Sequence, residues 1–315
     1  MTERPTPPSV LYGPVPSRRL GFSLGVDLLP FKTCSMDCVY CQLGASAATT
    51  VGRRDFVSVR TVLAQIRRAL ASGARIDAVT FSGSGEPTLH ASIGAIIRGI
   101  KRMTAIPVVV LTNSFALARP DVRRALRPAD IVVPSLDAAT DAVFRRVNRP
   151  HAGLTAAGVI AGLAAFRREF RGQIWLEIML VLGLNDGPRH LAKLKAAVDL
   201  IRPDRVQLNT VVRPPAERRA RPLGRDDLER IREFFGGNTE IIADFKTPLA
   251  PSARAAGDAA AEILAVAGRR PVTLADLALS LSRPAAEIAP IVDRFVAAGK
   301  LRAARHNDTV YYEAP

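Results

Sequence analysis

The chain has 315 residues, of which 48% are hydrophobic and 23% charged, as expected for a globular protein with one large and one small domain. No apolar run is long enough to cross a bilayer and the start, MTERPTPPSV, lacks the apolar core of a secretion signal, so a cytoplasmic protein without a membrane anchor is expected. The net charge of +15 predicts an anionic partner. Residues 251–315 hold eight basic and seven acidic residues, a net of +1, which leaves +14 to residues 1–250.

Short apolar runs alternate with helical patterns between about residues 24 and 245. The predicted strands are Gly25–Leu29, Ala78–Ser82, Pro107–Thr112, Ile131–Leu136, Ile174–Leu182 and Arg205–Asn209. The predicted helices between them include Val59–Ala71, Ser92–Met103, Ala156–Phe170 and Leu191–Ile201. Apolar strands separated by helices indicate a parallel sheet with a helical outer layer. We predict an α/β fold, a partial (β/α)6 TIM-like barrel; a doubly wound open sheet is the alternative, because periodicity does not distinguish the two.

The C-terminal residues predict a second, smaller domain. A Pro/Ala-rich stretch, Thr247–Ala256, is typical of a linker, which divides the chain into a barrel domain (1–250) and a C-terminal domain (257–315). The predicted elements of that second domain are helices Ala259–Val266, Leu274–Leu281 and Pro284–Ala298 and a hairpin, Leu301–Tyr312. Three helices and a hairpin indicate a winged-helix-like module. Because the module is almost neutral, DNA is not an expected partner, and we expect substrate docking or a protein contact.

All three cysteines of the chain, Cys34, Cys38 and Cys41, lie within eight residues directly after the first predicted strand. Thiolates hold iron–sulfur clusters, normally four to a cubane, so three would leave one iron without a protein ligand. The alternative is a structural zinc with His90 or His151 as the fourth ligand. Zinc sites usually pair two ligands across a short loop, which this spacing does not do, so a [4Fe–4S] cluster with an open iron is the preferred interpretation.

The cysteine spacing, with Tyr40 just before the last cysteine, resembles the radical S-adenosylmethionine (radical SAM) superfamily. The resemblance implies one [4Fe–4S] cluster whose open iron is chelated by the amino and carboxylate groups of S-adenosylmethionine. It also implies an external electron donor of the flavodoxin or ferredoxin type. In that family the reduced cluster cleaves the sulfonium to give a 5′-deoxyadenosyl radical, which abstracts hydrogen from a substrate. Tyr40 is then expected beside the cofactor.

A glycine-rich segment follows the second predicted strand: Ser82-Gly83-Ser84-Gly85-Glu86-Pro87. Glycines at a strand end let the backbone approach a ligand, and a carboxylate suits an ammonium group. The segment resembles the family's glycine-glycine-glutamate-proline segment, which contacts the methionine amino group, and the resemblance implies that role for Gly83, Ser84, Gly85 and Glu86. Ser84 stands where the family often has glycine.

Polar residues end or follow further strands, at Asn113, Ser135, Asp137 and Asn209. The resemblance implies that such positions bind the ribose hydroxyls, carboxylate and adenine of the cofactor, and each could instead form an ordinary Asx or Ser turn. Glu177 lies inside the apolar fifth strand and points either into the barrel or to its outer wall. If it points inward, a buried carboxylate needs a partner, which favours a ligand site.

Two further segments, Gly13–Asp27 and Val147–His151, resemble a group of bacterial and archaeal radical SAM proteins that is placed near the tRNA wyosine-base synthases. The resemblance covers residues 10–245. The wyosine synthases carry additional cysteines for a second cluster and this chain has none, so the wyosine reaction itself is not expected.

Arginines crowd the segment after the sixth predicted strand, at positions Arg213, Arg218, Arg219 and Arg221. Guanidinium groups there would suit phosphate, although a solvated loop is the alternative. Three functions remain open at this point. The first is radical modification of RNA or another phosphate-bearing substrate, the second is activation of a glycyl-radical enzyme, and the third is non-enzymatic regulation by a zinc or Fe–S winged-helix protein.

Overall fold

An eight-stranded sheet is the centre of the fold, in a computed structural model that describes residues 9–17, 19–46, 48–243, 258–306 and 309–315. Its strands are β1 Leu11–Ser17, β2 Gly21–Val26, β3 Ala78–Phe81, β4 Val108–Thr112, β5 Ile131–Pro134, β6 Gln173–Leu180, β7 Arg205–Thr210 and β8 Thr239–Ile241. They pair in sequence order; β1 is antiparallel to β2, and every later pair is parallel. A doubly wound sheet reverses its strand order at a switch point, and this sheet does not. The α/β partial barrel that the sequence predicts is therefore confirmed.

Helices cover the outer face of the sheet. They are α1 Val59–Leu70, α2 Ile93–Lys101, α3 Pro120–Leu126, α4 Asp141–Val147, α5 Ala156–Glu169, α6 Pro188–Ile201 and α7 Arg225–Phe235. Ser58 begins α1 by accepting a hydrogen bond from the Thr61 backbone N–H at 3.1 Å, and Thr155 begins α5 in the same way. Ile66 and Phe166 point from these helices into the core and are fully buried. No helix in the described ranges is long and apolar enough to span a membrane.

The sheet has two strands that the sequence prediction of six did not include, β1 and β8. β1 contains Gly13, Pro14 and Pro16, which disfavour a strand interior but are tolerated at a sheet edge. β8 has only three residues, too few to show a pattern. The predicted first strand was also wrong in its bounds, because pairing with β1 moves β2 to residues 21–26 and leaves Asp27 beyond its end.

The C-terminal module, residues 258–306 and 309–315, has the predicted element order: α8 Ala259–Ala267, α9 Leu274–Leu281, α10 Ala285–Ala297, β9 Arg302–His306 and β10 Thr309–Glu313. Thr273 and Asp276 form the expected capping box at the start of α9. The winged-helix assignment and the division at residues 250 and 257 stay predictions. The predicted linker, Thr247–Ala256, and both of these boundaries lie outside the described residues, as do positions 307–308 of the hairpin turn.

This module packs against the barrel at two places. Val15 of β1 lies in one apolar cluster with Ile263 of α8 and other module residues, and Ser280 of α9 donates a hydrogen bond to the Pro14 carbonyl at 2.8 Å. The hairpin reaches the segment after β7, where the Tyr311 hydroxyl donates to the Val212 carbonyl at 2.9 Å. The module therefore contacts both the β1 edge of the open sheet and the carboxyl end of β7.

Candidate active site

A cavity of about 380 Å³ lies inside the barrel and reaches the carboxyl ends of the strands, where parallel α/β barrels carry their chemistry. The structure brings together in its wall eleven of the residues that the sequence indicates as candidates for the site. They are Cys34, Tyr40, Cys41, Gly83, Gly85, Glu86, Asn113, Ser135, Glu177, Asn209 and Arg213. Six others do not line it: Cys38, Ser84, Asp137, Arg218, Arg219 and Arg221. The polar strand ends thus converge, although their individual contacts differ.

The cysteine loop follows β2 and is held by amide donors. Asn113 donates to the Cys34 sulfur from Nδ2 at 3.4 Å, and Asn148 donates to the Cys38 sulfur at the same distance. Removal from water, with the nearby Glu86 carboxylate as a second cause, raises the pKa of the Cys34 thiol to about 12. Burial also raises the pKa of Cys38 well above its ordinary value. Thiols in this environment become thiolates only when a cation binds them.

The donor set, three thiols on one loop with amide donors to two of their sulfurs, fits a cubane cluster. No three His, Cys, Asp or Glu side chains among the described residues converge closely enough to hold one metal ion. The histidines have other neighbours: His90 Nε2 lies 3.0 Å from the Val57 carbonyl, and His151 Nδ1 lies 2.9 Å from the Ala152 carbonyl. In a cubane each thiolate binds its own iron, so the sulfurs stand apart, and N–H donors to sulfur are ordinary around such clusters.

The glycine-rich segment packs directly against the cysteine loop. A Cβ on Gly85 would lie 1.9 Å from the Thr33 carbonyl oxygen, and Gly83 has a φ of +132° that side chains rarely adopt. Ser84, the departure from the family pattern, is buried and donates from Oγ to Asp27 Oδ2 at 2.6 Å. Glycine at these positions allows close packing of two loops, and Ser84 contacts Asp27 at the end of β2.

Glu86 is only 2% exposed and joins the ends of β3 and β4. Its Oε1 accepts hydrogen bonds from the Thr88 backbone N–H at 3.0 Å, the Thr88 hydroxyl at 2.6 Å and the Thr112 hydroxyl at 2.7 Å. Its Oε2 accepts one from the Asn113 backbone N–H at 2.7 Å. Burial raises the pKa of Glu86 and these hydrogen bonds oppose the shift. The carboxylate therefore fixes the shape of the cavity wall, and Oε2 keeps room for a further donor.

Asp137, like Glu86, is a buried carboxylate, with 3% of its surface exposed. It accepts hydrogen bonds from the Tyr40 hydroxyl, from Asn148 Nδ2 at 2.6 Å and from the Met179 backbone N–H at 2.9 Å. Burial raises its pKa to about 6. Asn148 therefore connects Asp137 to Cys38. Sequence reasoning did not identify Asn148 as a site residue, because α4, which it follows, was not predicted.

Glu177 points into the barrel, which settles the two orientations that the sequence left open. It lines the cavity, where Oε2 accepts a hydrogen bond from Arg19 Nη1 at 2.6 Å and Oε1 accepts one from Asn209 Nδ2 at 3.0 Å. Arg19 also donates to Gln207 at 2.6 Å. The inward carboxylate thus has a cationic partner from the turn between β1 and β2, as a buried charge requires.

The predicted arginine cluster is divided by the structure. Arg213 lines the cavity and donates to the Gln42 side chain at 3.3 Å. Arg218, Arg219 and Arg221 are exposed on the loop before α7, outside the cavity wall. Their role in phosphate binding stays a prediction.

Comparisons with known proteins show the family to which the chain belongs. Residues 28–194 match the sequence profile of the Radical SAM superfamily. The chain belongs to this superfamily, which implies a [4Fe–4S] cluster and S-adenosylmethionine. Within it, the chain belongs to the family of the UPF0026 proteins, since it is 32% identical over 243 residues to one from Methanocaldococcus jannaschii, a match that covers 76% of this chain and 74% of that protein.

Two other similarities extend this result. A protein of Brachyspira hyodysenteriae named GTPase Obg is 35% identical over 306 residues, which cover 96% of this chain and 45% of that protein, so the chain spans less than half of this relative. The structure of a radical SAM methyltransferase from Sphaerobacter thermophilus superposes with a TM-score of 0.52 at 18% identity, over 70% of this chain and 66% of that one. This second similarity shows a common fold.

Proposed function

We propose that the protein is a radical SAM enzyme that modifies RNA or another phosphate-bearing substrate. It would hold one [4Fe–4S] cluster on Cys34, Cys38 and Cys41 and S-adenosylmethionine in the barrel cavity. The observation that carries the proposal is a loop with three thiols and no fourth cysteine in the chain, with two of the thiols in the wall of a cavity that polar strand ends surround.

When bound, the cluster and S-adenosylmethionine supply a 5′-deoxyadenosyl radical for hydrogen abstraction. The residues of the chain position and shield this chemistry. Asn113 and Asn148 orient the thiols, and Glu86 holds the ends of β3 and β4 at a fixed separation. Tyr40 is fixed by its hydrogen bond to Asp137 and lines the cavity. A preorganised wall limits the access of water to a reactive radical.

The substrate class rests on charge, since residues 1–250 carry +14 of the net +15. The proposal includes an external electron donor of the flavodoxin or ferredoxin type and a cytoplasmic location, where three thiols stay reduced. The competing interpretation, activation of a glycyl-radical enzyme, requires a protein partner. It predicts a modest salt dependence of binding, in contrast to a polyanionic substrate.

The cofactor reaction is tested without knowledge of the substrate. Anaerobically reconstituted protein, supplied with dithionite and S-adenosylmethionine, is expected to release 5′-deoxyadenosine slowly, measured by liquid chromatography. The Cys41→Ala variant is the matched control and should release none, because the cluster loses one of its three ligands. Iron-replete protein that binds S-adenosylmethionine and releases no 5′-deoxyadenosine would contradict the proposed function.

The phosphate-bearing substrate is tested by the salt dependence of RNA binding. Changing Arg218, Arg219 and Arg221 together to Gln should reduce the slope of log K against log salt by about 2, because three contacts to single-stranded phosphates are lost. Filter binding of a transfer-RNA-sized RNA at several salt concentrations measures the slope. Replacing three exposed arginines of α1 (Arg60, Arg67 and Arg68) is the control and should leave it unchanged. An equal slope in both variants would make the loop arginines ordinary surface residues.

A further inference from the structure

The C-terminal module contributes two adjacent arginines, Arg269 and Arg270, to the wall of the barrel cavity. Both follow α8, which packs against β1. Arg269 has its partners within the chain. Its Nε donates to Asp27 Oδ2 at 2.9 Å, its Nη2 donates to the Ser9 carbonyl at 2.8 Å, and its guanidinium lies 5.3 Å from the Tyr12 ring centroid. A carboxylate and an aromatic ring therefore satisfy this first arginine.

Arg270 differs from its neighbour. Its Nε is buried and has no hydrogen-bond partner among the described residues, and no carboxylate in the same ranges forms an ion pair with it. Arg270 lies near Tyr12. Burial raises the pKa of the Tyr12 hydroxyl, and the positive charge of Arg270 opposes that shift. A buried guanidinium donor without an acceptor costs free energy, which a bound anion would recover.

The other cations of the cavity wall have partners within the chain, and for Arg213 one of these is the Gln42 side chain. Arg19 pairs with Glu177 at 2.6 Å, and Lys32 lies 3.5 Å from Asp37. Glu86, the remaining carboxylate of the wall, is surrounded by its own four donors. Among the described residues, Arg270 thus has no ion-pair partner and a buried Nε–H without an acceptor, and guanidinium groups bind phosphate through paired N–H donors.

We propose that Arg270 binds a phosphate-type anionic group of the substrate, so that the C-terminal module completes the substrate site of the barrel. The inference rests on the proposed function and specifies one contact of it. The carboxylate of S-adenosylmethionine is the other anion that could reach the cavity. Arg270 approaches from the module on the β1 edge, whereas the predicted cofactor residues Asn113 and Ser135 follow β4 and β5. Tyr12, beside Arg270, also lies 2.7 Å from the Ser82 hydroxyl of the glycine-rich segment, so the affinity for S-adenosylmethionine, measured below, distinguishes the two sources of the anion.

Binding of inorganic phosphate to the full chain tests the site. Isothermal titration calorimetry at low ionic strength should show that Arg270→Gln weakens phosphate binding by about tenfold or more, as for the loss of a hydrogen bond between charged groups. Arg294→Gln, at an exposed arginine on α10 of the same module, is the control and should change it less than twofold. Equal affinity in wild type and Arg270→Gln, or no measurable binding in wild type, would overturn the proposal.

Two further measurements remove the remaining ambiguities. Phenylglyoxal labelling of the wild-type protein, mapped by mass spectrometry, should show Arg270 protected by phosphate, so the result does not depend on the folding of a variant. S-adenosylmethionine affinity should be the same in Arg270→Gln as in wild type, and a tenfold loss would assign the arginine to the cofactor and overturn the proposal. If wild-type protein releases no 5′-deoxyadenosine, the proposed function is contradicted. Phosphate binding at Arg270 is measured independently of that reaction.

Discussion

Cys38→Ala is expected to remove the iron–sulfur cluster completely. Anaerobically reconstituted wild-type protein should hold about four irons per chain and, after reduction, give a paramagnetic signal that S-adenosylmethionine perturbs. The variant should retain neither the iron nor the signal. The reason is that the chain has three cysteines, so no other thiol is available to replace the lost ligand. Iron analysis and electron paramagnetic resonance measure the two quantities.

A control for this result is Gln42→Ala. Gln42 lies in the cavity wall next to Cys41 but carries no thiol, so its removal should leave about four irons in place. Near-complete iron loading of Cys38→Ala would contradict the three-thiolate assignment. Stoichiometric zinc in the wild-type protein, together with normal folding of the variant that lacks all three cysteines, would contradict the cluster itself.

The parts of the site that the sequence predicts are those whose chemistry is local. Thiolates prefer soft metals, so the close spacing of Cys34, Cys38 and Cys41 is sufficient to predict a metal site on their loop. Apolar strands and helices alternate within short windows, so most of β3 to β7 is predicted within a few residues. These inferences need no knowledge of which distant residues meet.

The features that sequence reasoning missed depend on partners far apart in the chain. Ser84 contacts Asp27, 57 residues away, and Asn148 contacts Cys38, 110 residues away, and no local pattern reports either pair. The direction of Glu177 was open because both faces of its strand are buried, and Arg19, its partner at 158 residues, was not considered. A period of two does not distinguish the faces of such a strand.

Net charge concealed the position of two arginines of the C-terminal module. A sum of +1 over residues 251–315 indicated that the module contributes little electrostatically. The structure places Arg269 and Arg270 at the cavity, where one of them meets Asp27 of the barrel. The position of a charge relative to a cavity decides its effect on a ligand, and a sum over sixty-five residues removes that information.

Glu86→Ala is expected to destabilise the metal-free protein by about 3–5 kcal/mol. The change removes the acceptor of four hydrogen bonds, two of them from the backbone N–H groups of Thr88 and Asn113, which are held by a 3-10 turn and a strand end and do not turn to other partners. Two buried N–H groups without acceptors cost about 1–3 kcal/mol each. Urea denaturation of the iron-free chain measures the free energy of unfolding, so the result is independent of cluster loading.

Glu86→Gln separates hydrogen bonding from charge. Burial raises the pKa of Glu86, so a neutral amide relieves part of the desolvation cost of the carboxylate. The amide keeps one acceptor oxygen and the side-chain volume, but its NH2 group must face either Asn113 N–H or the Thr88 donors. The free energy of unfolding should therefore fall less than in Glu86→Ala but more than in Glu229→Gln. Glu229 is a half-buried residue of α7 and serves as the control. Equal stability of Glu86→Ala and wild type would mean that the carboxylate does not fix the wall.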